Sequence, residues 1–493
     1  MKKSINVIKK NKNSLFLYGA LIIGILSCCF TRLNFNIAIC AFIFPPCFLY
    51  FVRKSKPLKG LLLTFVGLLL GSFISVLGIL NYSYFGLMVL SGVLIGIVTF
   101  IPYLLDKLVY TRFFKNPLAI TFLFPLTWIT MEVILEFTPI GSLVSIAYSQ
   151  TYILPLIESV SLLGLYFISF IILTFDSALV AFIIAPKKNK RGLIIATSLL
   201  AFSFLYSGIY LITPLSTNET ITITTGYSTN DDSLASRRKW SIDENISWFN
   251  KDAVVAKNNH SDLLVYPEEA FYIYSNEHDE FLMRCKNVCR ENNVYAVLGV
   301  QITNSATDQH SKNQAWVIDN QGELKAIYKK VHLLPFDEVD YEIGDGTIPL
   351  IETPFGKMAV VICMDMEFPS FISAVGRMGA DLLIAPSWFW NEAPKSIFYN
   401  DRYRAIENGV NVVKVTEEGY SVAFDYRGQV KCEYYNTTDF KTKQTNHVFQ
   451  LPKKGITTVY SYLGGFVNYL YIVALAGVIT FSIIDSNRQK KHI

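Results

Sequence analysis

Apolar residues in this chain are gathered into runs, and the placement of those runs limits what it can fold into. Residues 14 to about 214 form a succession of apolar stretches, each near the roughly 20 residues that a helix needs to span a bilayer. Residues 215 to about 460 have ordinary globular composition, and residues 459–484 are apolar again. With 493 residues and a mean hydropathy of +0.35, the chain is too apolar for an ordinary soluble protein and long enough for two domains. The pattern predicts helices near 14–30, 35–52, 59–80, 84–104, 117–137, 155–186, 192–214 and 462–484, about eight spans. The run 155–186 is long for one span, so part of it is expected to be tilted or interfacial. Pro45-Pro46 is expected to kink the second helix. The expected organisation is a seven-span membrane domain over 1–214, a polar domain over 215–458, and a last helix with its tail over 459–493.

Charge then orients the helices. Lys2, Lys3, Lys9, Lys10 and Lys12 precede the first run; Arg53, Lys54, Lys56 and Lys59 follow the second. Lys107, Arg112 and Lys115 follow the fourth, Lys187, Lys188, Lys190 and Arg191 the sixth, and Arg488, Lys490 and Lys491 the eighth. Apart from Arg32, the loops between are nearly free of basic residues. The positive-inside rule therefore predicts both termini in the cytoplasm and the polar domain outside it. The lysines and short apolar run at the N-terminus mimic a signal peptide, but the later spans favour a first transmembrane helix. A net charge of +5, placed largely in loops that flank membrane segments, gives no reason to expect nucleic-acid binding.

Residues 219–452 alternate β-type runs with helical patterns. The strands are expected at Thr220–Thr225, Asp262–Tyr266, Tyr295–Ile302, Gln314–Ile318, Leu324–Lys329, Met358–Cys363, Asp381–Ala385, Val410–Val415, Ser421–Asp425 and Gln429–Tyr435. Helices are expected near 242–258, 276–291, 368–378 and 395–408, which makes this an α/β layered domain. Arg427-Gly428 reads as a hairpin turn. The cysteines form no disulfide framework, and no His/Cys cluster has metal-ligand spacing, so neither metal nor cofactor is expected.

Three segments of the polar domain carry chemistry. Val361-Ile362-Cys363 delivers a thiol to the end of an apolar strand, where it is either a nucleophile or a buried structural cysteine. Leu263-Leu264-Val265-Tyr266-Pro267-Glu268 ends in a carboxylate that desolvation could make a general base, with Glu269 as its neighbour and competitor. Lys330 offers a point charge for an oxyanion, with Lys325 and Lys329 close by in sequence. Glu338 is placed to orient Lys330 or to act as a second carboxylate, and His332 reads as a structural hydrogen bonder.

In this order and with these flanks the segments resemble the nitrilase (carbon–nitrogen hydrolase) superfamily. Pro267-Glu268 is similar to its glutamate motif, Lys330-Val331-His332-Leu333-Leu334-Pro335-Phe336-Asp337-Glu338 to its lysine motif, and Ile362-Cys363-Met364-Asp365 with Phe368-Pro369 to its cysteine motif. Arg404-Ala405-Ile406-Glu407-Asn408-Gly409 is similar to a helix of that family. In the membrane part, Trp128-Ile129-Thr130-Met131-Glu132, Gly141, Tyr148-Ser149-Gln150 and Gly164 are similar to the apolipoprotein N-acyltransferase branch. The resemblance implies an αββα sandwich and a catalytic triad of Glu268, Lys330 and Cys363, supported by Glu338 and Asp365. It implies acyl transfer from a phospholipid through a cysteine thioester to the amine of a diacylglyceryl lipoprotein, in a bacterial membrane. The alternative it leaves open is a membrane-anchored amidase. Several positions depart from the branch: Tyr266 replaces a tryptophan, Asp337 a glycine, Met364 a tyrosine and Asp365 a glutamate, and Pro386-Ser387-Trp388 is closer to general nitrilases. Tyr266, Met364, Trp388 and Trp390 are expected to line the acyl pocket or its lid, with Phe271, Tyr272, Tyr274 and Phe389 as further aromatic lining.

Overall fold

The computed structural model describes residues 2–79, 85–110, 116–215, 217–226, 240–304, 311–334, 341–390, 393–436 and 446–491. The chain divides into one unit of Met1–Thr138, Ser142–Ile212 and Phe466–Ile493 and another of Pro139–Gly141 and Thr213–Gly465.

The first unit is helical: α1 (Lys2–Phe30), α2 (Phe44–Lys54), α3 (Pro57–Val76), α4 (Phe85–Tyr110), α5 (Pro117–Leu135), α6 (Leu165–Ile184) and α7 (Pro186–Ile212), joined by Phe466–Lys491 from the end of the chain. Among the described residues, five helices are long and apolar enough to cross a membrane: α3, α4, α6, α7 and Phe466–Ile484. Ser14–Phe30, Ala119–Leu135 and Leu154–Leu163 are apolar but shorter.

Two local expectations change. Pro45 and Pro46 lie in the first turn of α2, where a missing N–H removes no helical bond, so they start a helix instead of kinking one. The long run 155–186 is broken: Leu154–Ile157 and Val160–Leu163 are single turns, and Gly164 at φ +76° ends them before α6 begins.

Two buried charged groups of this unit are satisfied by ion pairing or hydrogen bonds, as a low-dielectric setting favours. Arg53 grips Asp106 through two nitrogens, at 3.0 and 2.7 Å. The Glu132 carboxylate accepts four bonds: from Trp128 Nε1 and the Ile146 N–H on Oε1, and from the Ser145 and Ser169 hydroxyls on Oε2.

The second unit holds two sheets. One runs β13 (Val448–Pro452), β1 (Thr220–Thr225), β2 (Leu263–Val265), β4 (Tyr295–Thr303), β5 (Ser311–Ile318) and β6 (Leu324–Lys329), with β3 (Phe271–Tyr274) also on β4. The other runs β12 (Val430–Asn436), β11 (Gly419–Phe424), β10 (Asn411–Thr416), β9 (Leu382–Ser387), β8 (Gly356–Val360) and β7 (Leu350–Thr353). Side chains on a strand alternate between faces, and here that parity sorts the core. Ile221, Ile223, Leu263, Val265, Val297, Ala315 and Val317 share one cluster with Ala359, Leu383 and Val412 of the other sheet. Their neighbours Leu264, Ala296, Leu298, Trp316 and Ile318 pack instead with the helices Ile242–Asn258 and His278–Asn292. The helices Pro369–Arg377 and Asp401–Asn408 pack by the six-stranded sheet, completing an αββα sandwich.

Strands β3, β7 and β13 were not expected from the sequence, and the helical pattern at 395–408 is divided into Lys395–Tyr399 and Asp401–Asn408. The hairpin at Arg427-Gly428 joins β11 to β12, with Gly428 at φ +66°. The first and last strands pair with each other, Thr220 opposite Pro452.

Candidate active site

The sandwich brings the three chemical segments to one edge. Glu268 lies beyond β2 and Lys330 directly after β6, both from the seven-stranded sheet; Cys363 lies beyond β8 of the six-stranded sheet. Lys330 Nζ reaches Glu268 Oε1 at 2.9 Å, and the two side chains are only 4 and 2 % exposed. Oε1 also accepts Asn313 Nδ2 at 2.7 Å, and Oε2 accepts the Trp388 N–H at 2.9 Å. The carboxylate is thus buried as an anion with three donors, one of them cationic, which offsets its desolvation.

Trp388 contacts both reacting groups through its backbone. Its N–H donates to Glu268, while its carbonyl accepts the Cys363 thiol at 3.5 Å. Burial pushes the Cys363 pKa well up and Glu268 adds to this; Lys330, Lys414 and the Trp388 contact oppose it. The resting site therefore holds a neutral thiol beside a Glu–Lys ion pair. A base must take the proton as the sulfur attacks.

Cys363 has φ +47°, a left-handed conformation rare for a residue with a side chain, and begins the tight turn Cys363–Glu367. Asp365 holds that turn and the lysine segment together. Its Oδ2 accepts the Ile362 N–H and the Tyr328 hydroxyl, and its Oδ1 accepts the His332 N–H and faces His332 Nδ1 at 2.8 Å. His332 is accordingly a hydrogen bonder, with its ring stacked on Phe368.

The backbone at Glu268 depends on Gly299 of β4. A Cβ there would overlap the Pro267 carbonyl oxygen and stand 2.8 Å from Glu268 Cα. Gly299→Ala is expected to displace Glu268 by a substantial fraction of an ångström. Turnover should fall by about 10²-fold, since catalytic groups tolerate little misplacement. Steady-state kinetics beside a thermal melt checks this, and an unchanged turnover number would contradict the close approach.

Other expected residues are scattered. Met364 is buried in the cysteine turn. Trp388 is 38 % exposed, and Trp390 is partly buried against the sandwich core beside Phe389. Tyr266 is fully buried, not at a mouth: it packs with Trp248, Phe249 and Phe271 and donates to Asp252 at 2.7 Å. Glu338 lies outside the described residues. Asn313 was missed. The available signal was strand parity: it shares a face with Ala315 and Val317, so a polar side chain there points into the sandwich.

Two family models match successive parts of the chain: Apolipoprotein N-acyltransferase N-terminal domain over residues 24–178, and Carbon-nitrogen hydrolase over residues 226–441. Together the two models cover most of the chain, and curated apolipoprotein N-acyltransferases align along it. The apolipoprotein N-acyltransferase of Rickettsia prowazekii (strain Madrid E) is 24 % identical over 393 residues, covering 73 % of this chain and 76 % of that protein. A formamidase of Bacillus thuringiensis (strain Al Hakam) is 31 % identical over only 153 residues, 30 % of this chain and 45 % of its own. Among solved structures, an amidase from Nesterenkonia sp. covers 49 % of this chain and 92 % of its own at 19 % identity and a TM-score of 0.39. This chain is a membrane protein with an enzymatic carbon–nitrogen hydrolase domain.

Proposed function

We propose that this protein is an apolipoprotein N-acyltransferase. It moves an acyl chain from a phospholipid to the N-terminal amine of a diacylglyceryl-cysteine lipoprotein. The observation that carries the reading is the convergence of Glu268, Lys330 and Cys363 in a chain whose helical part matches the acyltransferase N-terminal domain. Glu268 takes the Cys363 proton while the sulfur attacks the acyl ester carbonyl. Lys330, with N–H groups of the turn after Cys363, holds the tetrahedral oxyanion. Collapse expels the lysophospholipid alkoxide, which regains the proton from Glu268, and leaves a thioester. The lipoprotein amine then attacks, Glu268 accepts its proton, and the amide departs as the thiolate regains a proton. Two successive transfers at one sulfur give ping-pong kinetics.

The distribution of lysine and arginine supports cytoplasmic termini and an extracytoplasmic catalytic domain. Both substrates are then lipids of the membrane that the helices occupy. Met364 and Pro386-Ser387-Trp388, which depart from the acyltransferase pattern, are the basis of a second reading, in which water resolves the thioester. Purified protein given phosphatidylethanolamine and a diacylglyceryl-cysteine peptide decides between them. The expected product is the N-acylated peptide, read by mass spectrometry with initial-rate patterns. Release of free fatty acid without peptide acylation would replace this reading with a hydrolase.

A further inference from the structure

Strand β10 carries a lysine into the interior of the second sheet. Lys414 is 1 % exposed and sits opposite Ala385 of β9, between Val413 and Val415. Its Nζ pairs at 2.7 Å with Asp401, the first residue of the helix Asp401–Asn408 and itself 1 % exposed. The same Nζ stands 5.0 Å from the centre of the Phe389 ring. Phe389 follows Trp388, whose carbonyl accepts the Cys363 thiol. Strands β8, β9 and β10 run parallel, so their carboxyl ends share one edge. Cys363 lies three residues beyond the last of β8, Trp388 one beyond β9, and Lys414 two before the end of β10. Packing alone gives no reason for a cation here, because a buried ion pair is commonly no more stabilising than apolar residues of similar volume.

We propose that Lys414 is a second cation of the active site, a positioning residue whose buried charge, held by Asp401, favours the Cys363 thiolate and the charge that later passes to the acyl oxygen. The titratable groups facing Cys363 are Glu268, Lys330 and Lys414; the first raises its pKa and the two lysines lower it. Those facing Lys414 are Asp401, Cys363 and Glu367, and Asp401 also faces Arg404. Burial works to lower the Lys414 pKa, but Asp401, then Cys363 and Glu367, outweigh it, so the net shift is upward and the ammonium stays charged. The two lysines divide the task. Lys330 shares its charge with the base at 2.9 Å while Glu268 is ionised. Lys414 has its own counterion on the other side and keeps its charge throughout the cycle.

The inference rests on Cys363 as the nucleophile but not on what receives the acyl group. The test therefore uses no substrate: the rate at which iodoacetamide alkylates Cys363 in the full-length protein in detergent, followed by peptide mass spectrometry over a range of pH. Failure of acyl transfer would leave this measurement intact. Lys414→Met is expected to slow alkylation about tenfold or more at each pH, as a lost neighbouring cation shifts a thiol by roughly one unit or more. Lys414→Arg should restore it to within about threefold of the parent. Asp401→Asn, which removes the counterion that keeps the buried lysine charged, should slow it as well. A lysine that only supports the fold would lower the melting temperature and leave the rate–pH profile in place. An unchanged profile in Lys414→Met, or an arginine variant as slow as the methionine one, overturns the proposal. If Lys414→Met does not fold, Asp401→Asn decides alone, with unchanged or faster alkylation counting against the proposal.

Discussion

Replacement of Cys363 by alanine is expected to lower acyl transfer by on the order of 10⁴-fold or more, leaving the fold in place. The thiol's hydrogen bond to the Trp388 carbonyl is weak, and truncation to alanine removes only one sulfur from the buried core. Alanine inherits the left-handed backbone at φ +47°, and that strain stays. Cys363→Gly, equally inactive, should be more stable than the alanine variant by about 1 kcal/mol, because glycine adopts this conformation without penalty. A side chain held where glycine would be relaxed marks a position kept for chemistry. Turnover and thermal melts of the two variants check both halves. Residual activity in Cys363→Ala within tenfold of the parent would end the thioester mechanism.

Lys330→Met should damage both function and fold. Glu268 would keep Asn313 and Trp388 as donors, but a 2 % exposed carboxylate would lose its cation. Breaking a buried pair from one side costs about 3–5 kcal/mol, enough to unfold a marginal domain. Activity should fall by about 10²–10³-fold as the oxyanion loses its charge partner. Adding Glu268→Leu should recover most of the stability and none of the activity. A double-mutant cycle in denaturant measures the recovery; equal stabilities of Lys330→Met and the parent would contradict a buried pair.

How far the sequence foretold this site depends on the kind of contact. The strand-end positions of Glu268, Lys330 and Cys363 were legible, since each follows an apolar run and carries flanks of a known pattern. Glu268 is preferred over Glu269 by geometry as well: the former meets Lys330, while the latter accepts from Tyr341 and Asn313. What a backbone group does was not legible. The Trp388 N–H and carbonyl matter through sheet register, which residue type does not encode. Trp388 was read for its ring, and its peptide proved the closer participant. Asn313 and Lys414 lie in strands as polar exceptions, and only the partner strand shows where an exception points. Tyr266 shows the converse, because its place beside the glutamate motif suggested a pocket wall while strand parity turned it into the aromatic core. Strands β3, β7 and β13, each four or five residues long, were not read from the sequence. In the membrane unit, Pro45-Pro46 was visible as a breaker, but sequence did not say whether it would bend a helix or bound one.

The pairing of β1 with β13 has a consequence for how such a protein could arise. A domain whose entering and leaving strands are neighbours can be set into a loop of another chain without prising the host apart. Thr220 opposite Pro452 makes the stretch Thr213–Gly465 of the second unit such a cassette, with Glu268, Lys330 and Cys363 all drawn from it. A free-standing hydrolase could have been spliced between two helices of a membrane protein in a single step, its chemistry intact.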